Sequence, residues 1–500
     1  MYILHIASEL APIAKVGGLG DVVYGLSKEL IRQGHRVEIL LPKYDCIDYN
    51  LLKNLKVCHR ELWSFEGPYR YNNTIWSAEF EDLSILLIEP HHPHYFFTRG
   101  SIYNCPDDLE RFLYFARASM EFLFKAGKTP DVLHLHDWPV AIAPVLQKQM
   151  YKALGLPPIK SILTLHNLEH QGCCLPKHLS LVGLRGEEYL TEDKLQDPAN
   201  PLLINLLKGG IVYADAITTV SPSYEKEIKT SHGGHGLDKV LLAHQSKLKG
   251  ILNGIDEDFW NPEKDRHLSF PFKAHPPFSS AALQEIDEQK KKNKKALQKR
   301  LGLEEKDVPL VACISRLVSQ KSPALIAEAF RYALSLGGQA VVLGSPDSPE
   351  VKELFSSLLL TAAQSNSGAI LLDYNEPLAH LIYAASDLLV VPSLFEPCGL
   401  TQMIALRYGT IPLVRKTGGL ADTVFDIDFS TAPIHKRNGF VFKSATKEEL
   451  RKALARAFLL WQEHPEKWLE LRKQAMETDY SWKAAAKHYI SLYENTPLCS

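Results

Sequence analysis

The chain has 500 residues, which at roughly 150 residues per domain suggests about three domains or two large ones. Hydrophobic residues make up 45% and charged residues 23%, ordinary for a globular protein, and 56 Lys plus Arg against 58 Asp plus Glu leave a net charge of −2. That balance excludes the broad basic surface of a protein that coats nucleic acid or an anionic membrane, but leaves room for a local basic site facing one phosphorylated ligand.

The apolar runs are short, Leu388–Val391 being typical, far below the roughly 18 residues of a membrane span. The opening Met1-Tyr2-Ile3-Leu4-His5-Ile6 lacks a basic n-region and reads as a first strand rather than a signal peptide. Eight cysteines without a C-x-x-C pair point to reduced thiols and a cytoplasmic setting. The vicinal Cys173-Cys174 reads as two small buried hydrophobes.

β-Branched and Leu-rich runs alternate with helical patterns along the chain. Strands are expected at 2–8, 37–42, 83–90, 132–137, 161–166 and 216–221, then at 309–315, 339–344, 369–373, 388–393 and 411–415. Several are nearly continuous apolar runs, as in strands covered on both faces. Between the first two, Leu19, Val22, Val23, Leu26 and Leu30 form one helical stripe, with Gly34 at the C-terminal stop. Strand–helix alternation of this kind predicts doubly wound parallel sheets. Residues 261–280, rich in Pro and Phe, read as a packed irregular segment or linker, and Lys290–Arg300 as a helix with a solvated basic face. A boundary between two α/β domains is expected near 255.

The segment Lys15-Val16-Gly17-Gly18-Leu19-Gly20-Asp21-Val22-Val23 echoes Lys416-Thr417-Gly418-Gly419-Leu420-Ala421-Asp422-Thr423-Val424 at six of nine positions. Glycines after a strand let backbone approach a ligand, and a helix N-terminus offers free N–H groups. The dinucleotide fingerprint fails because Val23 stands where its third glycine belongs, and Phe122 breaks a Walker pattern before Gly127-Lys128-Thr129. Arg316 and Lys321 follow one strand, with Ser322-Pro323 reading as an N-cap and first helical residue. Two such cations suit a diphosphate, and equally suit a solvated surface loop. Glu396, in Ser393-Leu394-Phe395-Glu396-Pro397-Cys398-Gly399-Leu400-Thr401, would stand at a strand's C-terminal end, where open α/β sheets bind ligands. His134-Leu135-His136-Asp137-Trp138 and Leu165-His166-Asn167 also close strands. Sugar recognition, with Trp138 as an apolar platform, and a structural role for one of the histidines both stay open.

Taken in order, these segments, with Ile251-Leu252-Asn253-Gly254-Ile255-Asp256 and Ser315-Arg316-Leu317, resemble the bacterial glycogen synthases and plant starch synthases over roughly 2–495. The resemblance implies the GT-B class of α/β fold, two facing Rossmann-like domains with a deep interdomain cleft. It implies domains at 1–255 on the acceptor glucan side and 256–480 on the nucleotide-sugar donor side, with 481–500 a helix crossing back to the first. The implied reaction moves glucose from ADP-glucose, or UDP-glucose, to the non-reducing end of an α-1,4-glucan (glycogen), retaining configuration. A non-glucan acceptor is the alternative.

On the same basis His166, Arg316, Lys321 and Glu396 are the expected catalytic residues. Lys15, Gly17, Gly18, Asp21, Asp137, Asn253, Tyr374, Cys398, Gly399, Leu400 and Thr401 are expected around the donor. No cofactor, metal, nucleic acid or membrane partner is implied. Ile404 stands where many related retaining enzymes carry a second Glu, a lack that synthases of this type share.

Overall fold

The computed structural model describes residues 1–363 and 366–498. The chain divides into two compact units, Met1–Gly254 together with the stretch that begins at Trp482, and Ile255–Ser481. The last two residues of the expected 481–500 segment lie outside the described residues. No helix among the described residues is long and apolar enough to cross a membrane.

The first unit is built on a nine-stranded sheet. Its strands are β1 (Tyr2–Ile6), β2 (Arg36–Pro42), β3 (Lys53–Glu66), β4 (Tyr69–Phe80), β5 (Leu83–Pro90), β6 (Val132–His136), β7 (Lys160–Leu165), β10 (Ala216–Thr219) and β11 (Leu248–Gly250), with β8 (Cys173–Cys174) and β9 (Ile204–Asn205) forming a separate short pair. The order is β11-β10-β7-β6-β1-β2-β5-β4-β3, parallel except where β4 pairs antiparallel with β3 and β5. The long β3–β4 hairpin is absent from the sequence-based expectation. Most of β3 faces solvent and its register slips at three points, so it carries neither an apolar run nor a clean alternation.

The helix Gly18–Arg32 follows β1 and buries Leu19, Val22, Val23, Leu26 and Leu30 as expected; Gly34 closes it at φ +87°. Trp482, Ala485, Ala486, Tyr489 and Tyr493 of the last helix, Trp482–Asn495, join the same core cluster as Val22, Leu26, Val132 and Ile162. A Cβ on Gly25 would sit 1.9 Å from Trp482 Nε1, so that glycine is the notch receiving the indole.

The second unit holds β12 (Leu310–Ile314), β13 (Gln339–Leu343), β14 (Gly368–Leu371), β15 (Leu388–Val391), β16 (Ile411–Arg415) and β17 (Phe440–Phe442). They form an all-parallel sheet in the order β14-β13-β12-β15-β16-β17. The basic helix, Ser280–Leu301, has the expected solvated face at Lys291, Lys292, Lys295, Lys299 and Arg300, but two of its lysines turn inward. Lys290 is buried and donates to the carbonyls of Ala384 and Tyr408, both at 2.9 Å, and Lys294 pairs with Asp387 at 2.6 Å. Carbonyls left over at the ends of neighbouring helices draw Lys290 inward, and the Asp387 carboxylate with the Val308 carbonyl draws Lys294.

Candidate active site

Strand order reverses between β1 and β6 in the first unit, and between β12 and β15 in the second. Open α/β sheets bind ligands outside the C-terminal ends of the strands at such points. In the first unit the segments leaving there are 7–17 after β1, Asp137 after β6 and His166 after the adjacent β7.

Glu9, which sequence reasoning passed over, organises the first of these. Its buried carboxylate accepts the N–H groups of Val16 at 2.7 Å and Gly17 at 2.8 Å through Oε2, and the Tyr103 hydroxyl at 2.9 Å through Oε1. Gly17 is expected around the donor, and its N–H is engaged by this protein carboxylate. Gly18 opens the helix exposed, and Lys15 pairs with Asp21 at 2.8 Å. Both ends of that pair are partly exposed, so it holds Lys15 only weakly.

Asp137 sits at φ +59°, uncommon for a non-glycine residue and typical of functional turns. Its Oδ1 accepts the backbone N–H of His166 at 2.7 Å. Burial pushes its carboxyl up from 3.8 to about 7; the N–H groups of His166 and Asn167 oppose the rise and the Glu9 charge adds to it. The folded state therefore keeps a proton that the unfolded chain sheds over that interval. The stability this brings is fully present below about pH 4 and is lost as pH rises through about 7. Asp137→Asn should remove the dependence, so its urea midpoint relative to wild type should improve between pH 5 and pH 8. A constant difference would refute the assignment.

His166 is half-buried, and its Nε2 lies 3.0 Å from His136 Nδ1. Asn253 is buried, with no hydrogen-bond partner for Oδ1 among the described residues. Trp138 packs edge-on against Phe112, ring centroids 5.5 Å apart, so its indole is already engaged in packing.

In the second unit Lys321 Nζ pairs with Glu396 Oε2, and the Ser393 hydroxyl donates to the same oxygen at 2.8 Å. Glu396 is 5% exposed. The two loops are tied by the Leu394 N–H to the Gln320 carbonyl at 2.8 Å and by Gln320 Nε2 to the Phe395 carbonyl at 3.1 Å. Arg316 is exposed and its guanidinium makes no ion pair among the described residues. Ser322 does precede the helix Pro323–Ser335, but at φ +53° its side chain makes no cap hydrogen bond. Tyr374 is exposed after β14, with its hydroxyl on Glu376 at 2.9 Å.

Gly399 turns at φ +74°, and Leu400 leads into the helix Thr401–Arg407 without a side-chain cap. The first-turn N–H groups there lack a side-chain acceptor. Cys398 is buried. Gln402, also missed from sequence, fastens the turn through Nε2 to the carbonyls of Gly399 at 2.8 Å and Cys398 at 3.2 Å. Gly419 donates to the Glu396 carbonyl at 2.9 Å. The second half of the sequence echo thus braces the Glu396 loop.

The chain is similar to known proteins over nearly its whole length. Residues 2–243 match the starch synthase catalytic domain family, and 293–476 match glycosyl transferases group 1. A glycogen synthase of Protochlamydia amoebophila is 47% identical over 99% of both chains, and glycogen synthase 2 of Methylococcus capsulatus is 44% identical over 98% and 99%. The catalytic domain of starch synthase IV from Arabidopsis thaliana, solved with ADP and acarbose, superposes with a TM-score of 0.93 at 45% identity, covering 99% of each chain. Sucrose-phosphate synthase from Thermosynechococcus elongatus, at 17% identity and a TM-score of 0.58 over 99% and 98%, shares the fold. With two Rossmann-like α/β units of the GT-B class and full-length identity at this level, the chain belongs to the glycogen synthase and starch synthase family of glycosyltransferases.

Proposed function

We propose that the protein transfers glucose from ADP-glucose to the non-reducing end of an α-1,4-glucan, with retention of configuration. The observation that carries this reading is the Lys321–Glu396–Ser393 cluster, which sets a cation and a buried carboxylate side by side at the switch point of the second sheet. Lys321 and the exposed Arg316 supply positive charge for the donor diphosphate. The uncapped N–H groups from Thr401 onward add fixed dipoles for the same anion. Glu396 has acceptor oxygens for sugar hydroxyls. Tyr374, on the surface after β14, flanks the base. Within the first unit, His166, Asp137 and Asn253 are polar groups suited to a hexose, and Lys15 is a cation of that unit.

The bond that breaks joins the anomeric carbon to the phosphate oxygen, and the bond that forms joins it to the acceptor hydroxyl on the same face. The departing phosphate takes the hydroxyl proton and the nucleoside diphosphate leaves with the electron pair. Positioning and charge stabilisation then account for most of the rate. Adenine as the base is supported by the ADP bound to starch synthase IV. The test is incorporation of labelled glucose into glycogen from ADP-glucose and from UDP-glucose in parallel. Incorporation from ADP-glucose is expected, and none from either donor would refute the reading.

A further inference from the structure

Three histidine rings of the first unit meet head to tail. His5 Nδ1 lies 3.0 Å from His136 Nε2, and His136 Nδ1 lies 3.0 Å from His166 Nε2. His5 and His136 are fully buried. Nδ1 of the half-buried His166 has no hydrogen-bond partner among the described residues. His134 packs against both inner rings, tilted to His5 with centroids 4.8 Å apart and stacked on His136 at 4.4 Å. Its own nitrogens are taken by the Tyr493 hydroxyl at 2.8 Å and Thr164 Oγ1 at 2.6 Å, so it packs against the row without joining it.

Burial keeps the row neutral, holding His5 and His166 down at about 3 and His136 well below the usual imidazole range. A neutral imidazole has one N–H and one lone pair, so each ring's tautomer dictates its neighbour's. Only two settings satisfy both bonds. In one, every Nδ1–H donates to the next Nε2, from His5 outward, and His166 ends with a free Nδ1–H. In the other every bond is reversed and the leftover N–H is on His5 Nε2. That atom is buried and has no hydrogen-bond partner among the described residues. An orphaned buried N–H is rarer in folded proteins than an orphaned acceptor, which favours the outward setting.

We propose that His5 and His136 are positioning residues that hold His166 as its Nδ1–H tautomer, so that it presents a hydrogen-bond donor to an oxygen of the transferred hexose. An isolated histidine favours the Nε2–H form, so the row sets His166 against its intrinsic preference. The hexose part of this inference rests on the function proposed above; the tautomer does not.

The test is ¹⁵N NMR of the full-length protein labelled at histidine, with the His166 signals assigned by their loss in His166→Gln. In the wild type, Nδ1 of His166 should show a protonated-type shift and Nε2 an unprotonated one. His5→Phe removes the origin of the row. It should move His166 toward Nε2–H and lower kcat about tenfold, the value of one hydrogen bond, with the glucan KM within about twofold. His5→Asn, whose amide N–H replaces Nδ1–H, should restore both readouts. An Nε2–H tautomer in the wild type overturns the proposal, and that spectrum needs no variant to fold. Unchanged His166 signals in a natively melting His5→Phe overturn it as well. A wild type in the Nδ1–H form that transfers no glucose would instead sink the function and leave the row standing.

Discussion

Replacing Glu396 with Gln, or Lys321 with Ala, is expected to lower kcat at least about 10²-fold, the usual cost of removing one preorganised charge from a transition state. Glu396→Gln keeps the shape and the Ser393 hydrogen bond but leaves Lys321 without its countercharge. Lys321→Ala removes the cation and strands a carboxylate that is 5% exposed. The second change should also cost about 1–3 kcal/mol of stability, because a buried charged acceptor loses its charged donor. Assays are therefore run well below the melting temperature of each variant. Two residues joined through one oxygen should act as a unit, so the double variant should lose much less than the product of the single losses. Near wild-type kcat in both single variants would refute the placement of the site.

Most parallel strands were legible because burial on both faces leaves unbroken apolar runs, so β5 and β16 fall at 83–90 and 411–415, where the pattern put them, whereas the three-residue β11 and β17 are too short to show one. The β3–β4 hairpin was not, since a solvent-facing, slipped ladder has no period to detect. Site residues that end strands, such as Asp137 and His166, stand out by position. Their supports do not. Glu9 is one acid in a loop, and only the fold shows it taking two backbone N–H groups. Gln402 looked like an ordinary helix residue until its amide met the carbonyls of the preceding turn. His5 was one residue of an apolar strand, and the row it begins depends on β1 and β6 lying side by side. Lys290 and Lys294 were misjudged for a related reason. The charge run was visible, and the carbonyls and carboxylate awaiting two of its members were not.

The sequence echo, ambiguous by itself, leads to the second large effect. Gly418→Ala should disable the enzyme from a position that carries no reactive group. Gly418 adopts φ +43°, and a Cβ there would lie 2.0 Å from the Glu396 carbonyl oxygen, backbone against side chain, with no rotamer to relieve it. Its counterpart in the first motif, Gly17, would meet nothing within 4 Å. The same pattern therefore serves two ends: one motif lies open, and the other is the surface on which the Glu396 loop rests. An alanine at 418 pays for its left-handed backbone and for overpacking, at least about 2 kcal/mol together. Relief requires the Glu396 backbone or the turn that supports it to move, which disturbs the pairing of Glu396 with Lys321. A displacement of about 1 Å at a positioning group costs on the order of 10²-fold in rate, so kcat should fall by about that factor in protein that is still folded. Gly17→Ala, with open space around its Cβ, should change stability by less than about 0.5 kcal/mol. Equal effects of the two substitutions on melting and kcat would show that the Glu396 loop does not depend on its glycine support.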